Sequence, residues 1–269
     1  MLGKIKESIG YIASKTDIKP DVGIILGTGL GELANEVKIN CSINYSDIPN
    51  FAHSTVEGHD GKLIIGELGG KQVVVMKGRF HYYEGYSMEE VTYPVRVMKY
   101  MGIKYLFVSN ACGGMNSDFN IGDIMVITDH INLMPNPLIG KHYEEFGARF
   151  PDMSKAYDIK LIKLADNIAA ANGIKLQKGC YVGVTGPTLE TPKEYEYFRI
   201  IGGDVVGMST VPEIIVANQM GIPCFAVSVI TDLGVPGKIK EVTHEEVQLE
   251  ARKAEPKLAL LVKNIIHSL

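Results

Sequence analysis

The chain has 269 residues, 46% of them hydrophobic, and 31 acidic against 27 basic side chains for a formal net charge of −4. That is enough apolar material for a large core, and the acidic balance offers no basic face to a nucleic-acid backbone. No apolar run reaches the roughly 18 residues of a membrane helix, and MLGKIKESIGYIA at the start lacks a signal-peptide core.

Four scattered cysteines, Cys41, Cys112, Cys180 and Cys224, show no CxxC or histidine pairing. They support neither a zinc site nor a disulfide framework and fit a reduced, cytoplasmic setting. Residues 1–16 place Ile5, Ile9 and Ile12 at helical spacing. Asp21 to Leu26 predicts a short apolar strand that runs into GTGLGE at 27–32. The helix-like spacing Leu30, Leu33, Ala34, Val37 follows. In such a layout backbone N–H groups and a helix N-terminus point at an anion. Glu32 stands where a dinucleotide fingerprint needs its third glycine, and no GK[ST] follows, so the dinucleotide and P-loop readings fail. A small anion site with the Thr28 hydroxyl survives, although a plain strand-to-helix turn has the same pattern.

Residues 51–61, FAHSTVEGHDG, form a polar loop with His53 and His59. His59, between Gly58 and Asp60-Gly61, is the better placed to close over a substrate. Leu63 to Leu68 and Lys71 to Met76, joined by Gly69-Gly70, predict a hairpin. The stretch KGRFHYYEGYS at 77–87 then leaves the end of a β-branched run. Arg79 and His81 lie two apart, which on extended backbone aims both side chains the same way. Tyr82, Tyr83 and Tyr86 interleave with Glu84, and Gly78 and Gly85 allow sharp turns. A cation, a titratable ring and stacking surface suit an anionic substrate with a flat or sugar-like group. A loop tip that only holds a salt bridge would read alike.

Ser87 with Glu90 forms a capping box for a helix that ends near Tyr100, with Gly102 as its left-handed cap. Pro94 leaves open whether the helix starts there or at Thr92. Lys104 to Ser109 predicts a strand ending in NACGGMN, where Asn110 and small residues let a ring or sugar lie against backbone. Ile124 to Thr128 predicts another, followed by Asp129, His130 and Asn132. Residues 133–153 hold three prolines with Phe146, Arg149 and Phe150; irregular stretches of this length are usually functional, or pack on a sister subunit. Ser154 to Ala171 predicts a helix with Ile159, Ile162 and Ala165 on its apolar face and Gly173 as its stop.

Gly179 to Val184 predicts a strand ending in TGPTLETP. Thr191, Pro192 and Glu194 are a helix start. Glu190 just before it either favours the helix dipole or receives N–H groups of a ligand. Asp204 to Met208 predicts a strand ending in GMSTVPE, with Ser209 followed by a second start of the same kind at Thr210, Pro212 and Glu213. Cys224 to Ile230 is an apolar strand closed by Thr231-Asp232. Thr243 with Glu246 opens the last helix, with His244 in its first turn and a kink at Pro256.

Polar candidates thus recur at strand ends: Thr28, Arg79, His81, Asn110, Glu190, Ser209 and Asp232. Ligands of α/β domains gather there. Helices between strands predict an α/β class, the hairpin makes the sheet mixed, and no linker or repeat divides residues 1–269, which read as a single domain.

Taken in order, GTGLG, STVEGHDG, KGRFHYYEGY, NACGG, GPTLET, GMSTVPE and THEEV resemble, nearly end to end, the trimeric purine nucleoside phosphorylases. The resemblance implies a mixed central sheet with a distorted barrel, flanked by helices, in a homotrimer. It implies reversible phosphorolysis of purine (2′-deoxy)ribonucleosides in purine salvage, with inorganic phosphate as co-substrate and neither cofactor nor metal. By the same resemblance, Thr28, His59, Arg79, Ser209 and the backbone of Ala111 would hold phosphate. His81, Tyr83, Met208 and His244 would position the sugar. Glu190 and Asp232 would face the purine with Leu189 packed on its ring, and Phe150 would reach a neighbouring subunit's site. His81, Glu190 and Asp232 would be the catalytic groups.

Asp232 departs from the asparagine common in members strict for hypoxanthine and guanine. An ionised carboxylate accepts from an adenine amino group or a protonated ring nitrogen but cannot donate to a purine carbonyl; protonated beside Glu190, it could donate. The expectation is an inosine/guanosine enzyme, with an adenosine- or methylthioadenosine-preferring phosphorylase as the alternative. His244 opposes the thioether, because an imidazole calls for a 5′-hydroxyl. A nucleoside hydrolase would need clustered aspartates, which the N-terminal region lacks. A non-catalytic purine binder could have discarded Arg79 or His59.

Overall fold

The computed structural model describes residues 1–28, 30–53 and 61–269. Helix α1 (Leu2–Ala13) buries Ile5 and Ile12. Strand β1 (Val22–Leu26) is buried at every position, as a continuous apolar run is when both faces of a sheet are covered. The helix expected after it is only a short 3-10 turn, Glu32–Glu36, because strand β2 (Lys38–Asn44) takes over the chain at once. β2 is mostly exposed, and the strand signal in its sequence is the alternation of Ile39, Cys41 and Ile43 with polar residues. β3 (Lys62–Leu68) and β4 (Lys71–Lys77) form the expected antiparallel hairpin. Gly69 and Gly70 turn it at φ 59° and 81°, a pair of left-handed conformations that glycine adopts without steric cost.

Helix α2 (Met88–Met101) starts at the first of its two possible sites. Ser87 and Glu90 cap each other's backbone, Pro94 lies inside the helix, and Gly102 ends it at φ 111°. Strands β5 (Tyr105–Gly114) and β6 (Ile124–Asn132) run further than their apolar cores suggest. Asn110, Asp129, His130 and Asn132 are therefore strand residues, not junction residues. Helix α3 (Ile159–Ala171) begins at Ile159 rather than Ser154, because the Asp158 carboxylate accepts from the Lys160 and Leu161 amides and sets the N-terminus there. Ile162 and Ala165 are buried, but Ile159 is exposed rather than on the apolar face.

The remaining elements are β7 (Leu176–Gly183), α4 (Pro192–Ile200), β8 (Val205–Gly207), α5 (Val211–Gln219), β9 (Cys224–Leu233) and α6 (His244–His267). Thr191 and Glu194 make the box expected before α4, and Thr243 and Glu246 the one before α6, which continues through Pro256.

All nine strands join one mixed sheet in the order β2-β3-β4-β1-β5-β8-β7-β6-β9, and β5 also pairs with β9. That last pairing closes β5, β8, β7, β6 and β9 into a barrel. Register shifts at Cys112/Gly113 and Ile127/Asp129 distort it. β1 runs parallel to β4 and to β5, and β5 runs parallel to β9. The carboxyl ends of these four strands therefore share one rim, and the polar residues that end them meet there. Among the described residues, no helix is long and apolar enough to cross a membrane, and the four cysteines are free thiols.

Candidate active site

A cavity of about 370 Å³ opens at this rim. Eleven predicted site residues line it: Thr28, Arg79, His81, Tyr83, Ala111, Leu189, Glu190, Met208, Ser209, Asp232 and His244. His59 lies outside the described residues. Phe150 does not line this cavity; its ring is 88% exposed on the stretch before α3.

One end of the cavity is built on Arg79, whose side chain is 1% exposed. Nη1 lies 2.9 Å from Ser209 Oγ, 3.0 Å from Thr210 Oγ1 and 3.3 Å from a Glu213 carboxylate oxygen. Nη2 donates to the carbonyls of Ile25 and Ser109, on the neighbouring strands β1 and β5. The guanidinium thus does form a salt bridge, but inside the protein and against a cavity wall, not at a loop tip.

The helix start expected at Thr210 is there, with Pro212 in the first turn of α5, but the Thr210 hydroxyl does not cap it. Thr210 stands at φ 69° and makes no capping hydrogen bond. Its Oγ1 is instead taken by Arg79 and by Asn110 Nδ2 at 2.9 Å. Glu213 serves both Arg79 and the helix end, where it accepts from the backbone N–H of Thr210. A β-branched residue at positive φ is costly, and here it lies where a hydroxyl must face the cation. Burial pushes the Glu213 carboxyl up while the Arg79 charge pulls it down. Asn110 Oδ1 is buried without a hydrogen-bond partner among the described residues, so this polar end keeps an unused acceptor.

His81 follows on the same stretch, between Gly78 and Gly85, which turn at φ 98° and 92°. Its Nδ1 lies 3.0 Å from Glu84 and its ring stacks on Tyr83 at 4.7 Å between centroids. Burial lowers its pKa, against the Glu84 hydrogen bond, with the Arg79 charge lowering it further. A neutral ring that donates from Nδ1 to Glu84 has Nε2 as its acceptor. His244, in the first turn of α6, completes this middle section.

The far end is acidic. Burial pushes Glu190 up to about 7, and Asp232 adds to the rise. Asp232 is also raised by burial; it accepts from Thr231 Oγ1 at 3.1 Å and from the Tyr195 hydroxyl at 3.3 Å, contacts that favour its charged form. Burial and the nearby Asp232 push the Cys112 thiol up, so it stays protonated and is no nucleophile. No cluster of side chains among the described residues could hold a metal ion.

Three site residues escaped the sequence reading in these roles. Glu213 had one signal, a carboxylate inside the apolar run VPEIIVA of α5. Tyr195 had only its place in the first turn of α4. Thr210 had none, since its backbone conformation is invisible in sequence.

Fold and site define an α/β protein whose strand-end pocket offers a buried cation and hydroxyls at one end and two carboxyl groups at the other. Such a pocket fits an anion bound next to a polar ring. The model of the phosphorylase superfamily matches residues 21–267. Purine nucleoside phosphorylase 1 of Bacillus subtilis (strain 168) is 49% identical over 99% of this chain and 98% of its own length. The purine nucleoside phosphorylase of Schistosoma mansoni, solved in complex with adenosine, superposes with a TM-score of 0.94 at 43% identity, covering 100% of this chain and 98% of that one. Its structure in complex with inosine gives 0.94 at 42% identity, covering 100% and 97%. The chain belongs to the phosphorylase superfamily and, within it, to the purine nucleoside phosphorylases.

The Arg79–Glu213 pair generates a stability prediction. Glu213→Leu strands a buried guanidinium and costs about 3–5 kcal/mol, read as a lower urea midpoint at pH 7. Glu213→Gln, which keeps an acceptor, loses less.

Proposed function

We propose that the protein catalyses the reversible phosphorolysis of purine ribonucleosides and 2′-deoxyribonucleosides, mainly inosine and guanosine, to free base and pentose 1-phosphate. The observation that carries this reading is the Arg79 guanidinium, buried at the cavity wall beside the Ser209 hydroxyl, in the same cavity as the Glu190 and Asp232 carboxyl groups. Arg79, Ser209, Thr28 and the Ala111 backbone hold phosphate at one end. His81, Tyr83, Met208 and His244 hold the sugar between. Glu190, Asp232 and Leu189 receive the purine.

A phosphate oxygen forms a bond to the anomeric carbon as the carbon–nitrogen bond to the purine breaks. The electron pair leaves with the base. Holding the anion in line with that bond turns a two-body encounter into a positioned step. Each charge-assisted hydrogen bond contributes about 1.5–3 kcal/mol. Charge grows on the purine, where Glu190 and Asp232 meet it. Neither a covalent enzyme intermediate nor a metal is needed for this chemistry.

A second reading rests on Asp232. With the Thr231 hydroxyl donating to it and the Tyr195 hydroxyl shared with Glu190, it presents an acceptor, which matches the amino group of adenine. Base release from inosine, guanosine, adenosine and methylthioadenosine, each with and without phosphate, separates the possibilities. Phosphate-dependent release with inosine ahead is expected. Adenosine strongly ahead reverses the base assignment, release without phosphate indicates a hydrolase, and binding without turnover indicates a purine sensor.

Glu190 gives a pH prediction. Its carboxyl titrates near 7, and its charged form accepts the purine N–H groups. At saturating phosphate, kcat/KM for inosine therefore falls as pH drops through about 7. In Glu190→Gln that inflection disappears and kcat/KM drops about 10²-fold at pH 8.

The assembly is proposed as a homotrimer in which Phe150 enters a neighbour's site. Its 88% exposure within one chain is what such a role requires. Phe150→Ala should leave the melting temperature of the subunit near parental and raise the nucleoside KM. Sedimentation giving a monomer with full activity overturns this part.

A further inference from the structure

Glu255 lies on α6 and is 1% exposed. Its neighbours include Leu30, Leu33, Leu258 and Val262 around a small apolar cavity, a setting in which a carboxylate is costly. Its Oε1 accepts from the backbone N–H of Glu32 and, at 3.3 Å, from that of Leu33. Its Oε2 is buried with no hydrogen-bond partner among the described residues. Burial pushes its carboxyl up to about 7 against the pull of the two amides and Arg252, and the Glu32 carboxylate adds to the rise.

Those two amides belong to the turn that follows Thr28 on the way from β1 to β2. As the first amides of a helical turn they have no acceptor within it, and no side chain at Gly31 caps them; the acceptor comes from a helix far along the chain. The same helix begins at His244, and His244, Val247, Gly27 and Thr28 all line the active-site cavity. A second tether between the two elements, Lys263 to Glu36 at 2.7 Å, lies at the surface. The buried contact is the directional one: two amides converge on one oxygen and leave the other without a task.

We propose that Glu255 is a positioning residue that ties the strand-to-turn segment bearing Thr28 to α6 and thereby sets how tightly the site holds phosphate. This rests on the phosphate reading given above. Glu255 touches no substrate. It acts through the Glu32 and Leu33 amides, whose placement fixes the direction in which Thr28 enters the cavity relative to His244.

The test is steady-state phosphorolysis of inosine with phosphate varied at saturating inosine, and then the reverse, together with the melting midpoint by circular dichroism. Glu255→Met fills the same apolar surroundings without an acceptor. It should raise the phosphate KM about five- to tenfold, less than the loss of a direct charge-assisted hydrogen bond to the anion because the effect is indirect, with the inosine KM within about twofold. Glu255→Gln keeps an oxygen for the two amides and should stay within about twofold of the parent in both. Lys263→Met, which removes only the surface tether, should be parental. If Glu255→Met fails to fold, Glu255→Asp, which retracts the acceptor by one methylene, should show the same selective rise.

The proposal is overturned by an unchanged phosphate KM in the Met or Asp variant. Parallel rises in both KM values overturn it too, as does a Lys263→Met effect as large as that of Glu255→Met. A parent enzyme indifferent to phosphate overturns the phosphorolysis reading and this inference together; a phosphate-dependent parent matched by Glu255→Met overturns this inference alone.

Discussion

A guanidinium buried to 1% exposure constrains everything around it. Taking a cation out of water costs several kcal/mol unless its donors are matched. Arg79 finds its acceptors on four separate elements: carbonyls of β1 and β5, hydroxyls of the segment before α5, and the Glu213 carboxylate within α5. None of these is near Arg79 in sequence. The sheet must therefore be assembled before the charge is tolerable, and the assembled sheet holds the charge at the cavity wall. The strained Thr210 belongs to the same arrangement. Its φ of 69° turns a hydroxyl toward both Arg79 and Asn110, and the hydrogen bonds it makes there offset the backbone cost.

The parallel alignment of β1, β4, β5 and β9 explains why one cavity can handle opposite charges. Each strand delivers its last residues to the same rim, so a cation from the β4 end and a carboxyl from the β9 end face one volume. Between them lie the His81 ring, made less basic by burial, and the His244 ring. A substrate with a negative end, a hydroxylated middle and a polar ring meets its complement at each station. The mixed barrel contributes the walls: its distortion at Cys112/Gly113 lies where the acidic end needs backbone close to Asp232.

The acidic end shows how solvation sets chemistry in a closed site. Glu190 and Asp232 are both raised by burial, yet their surroundings differ. Asp232 receives the Thr231 hydroxyl and shares the Tyr195 hydroxyl with Glu190, contacts that favour charge. Glu190 is held near 7, where a small change of environment transfers a proton. Two carboxyl groups with different tendencies near one ring can accept and donate as charge moves onto the base.

Much of this was legible along the chain. The strands β1, β4, β5 and β9 stand out as apolar β-branched runs, and the hydroxyl, basic and acidic residues at their ends stand out against glycine and small neighbours. The caps of α2, α4 and α6 follow from Ser or Thr with Glu three residues on. Local rules failed where a distant partner outbid a local one. Thr210 and Glu213 spell a capped helix start, and α5 does begin there, but Arg79 draws the Thr210 hydroxyl away from the cap. Leu30 to Val37 has helical spacing, but pairing with β3 draws the chain into β2. Ser154 to Asp158 continues an apolar period, but the Asp158 carboxylate starts the helix after it.

The amino-acid order by itself therefore determined the α/β class, the strand ends and the chemical types available there, because periodicity, capping and turn residues act within a few positions. Only the tertiary structure decided which of those types share a cavity, which carboxyl partners Arg79, and which buried acid on the last helix holds the turn beyond Thr28. Coulombic and desolvation energies depend on separation and burial in space, and neither can be read from position in a chain.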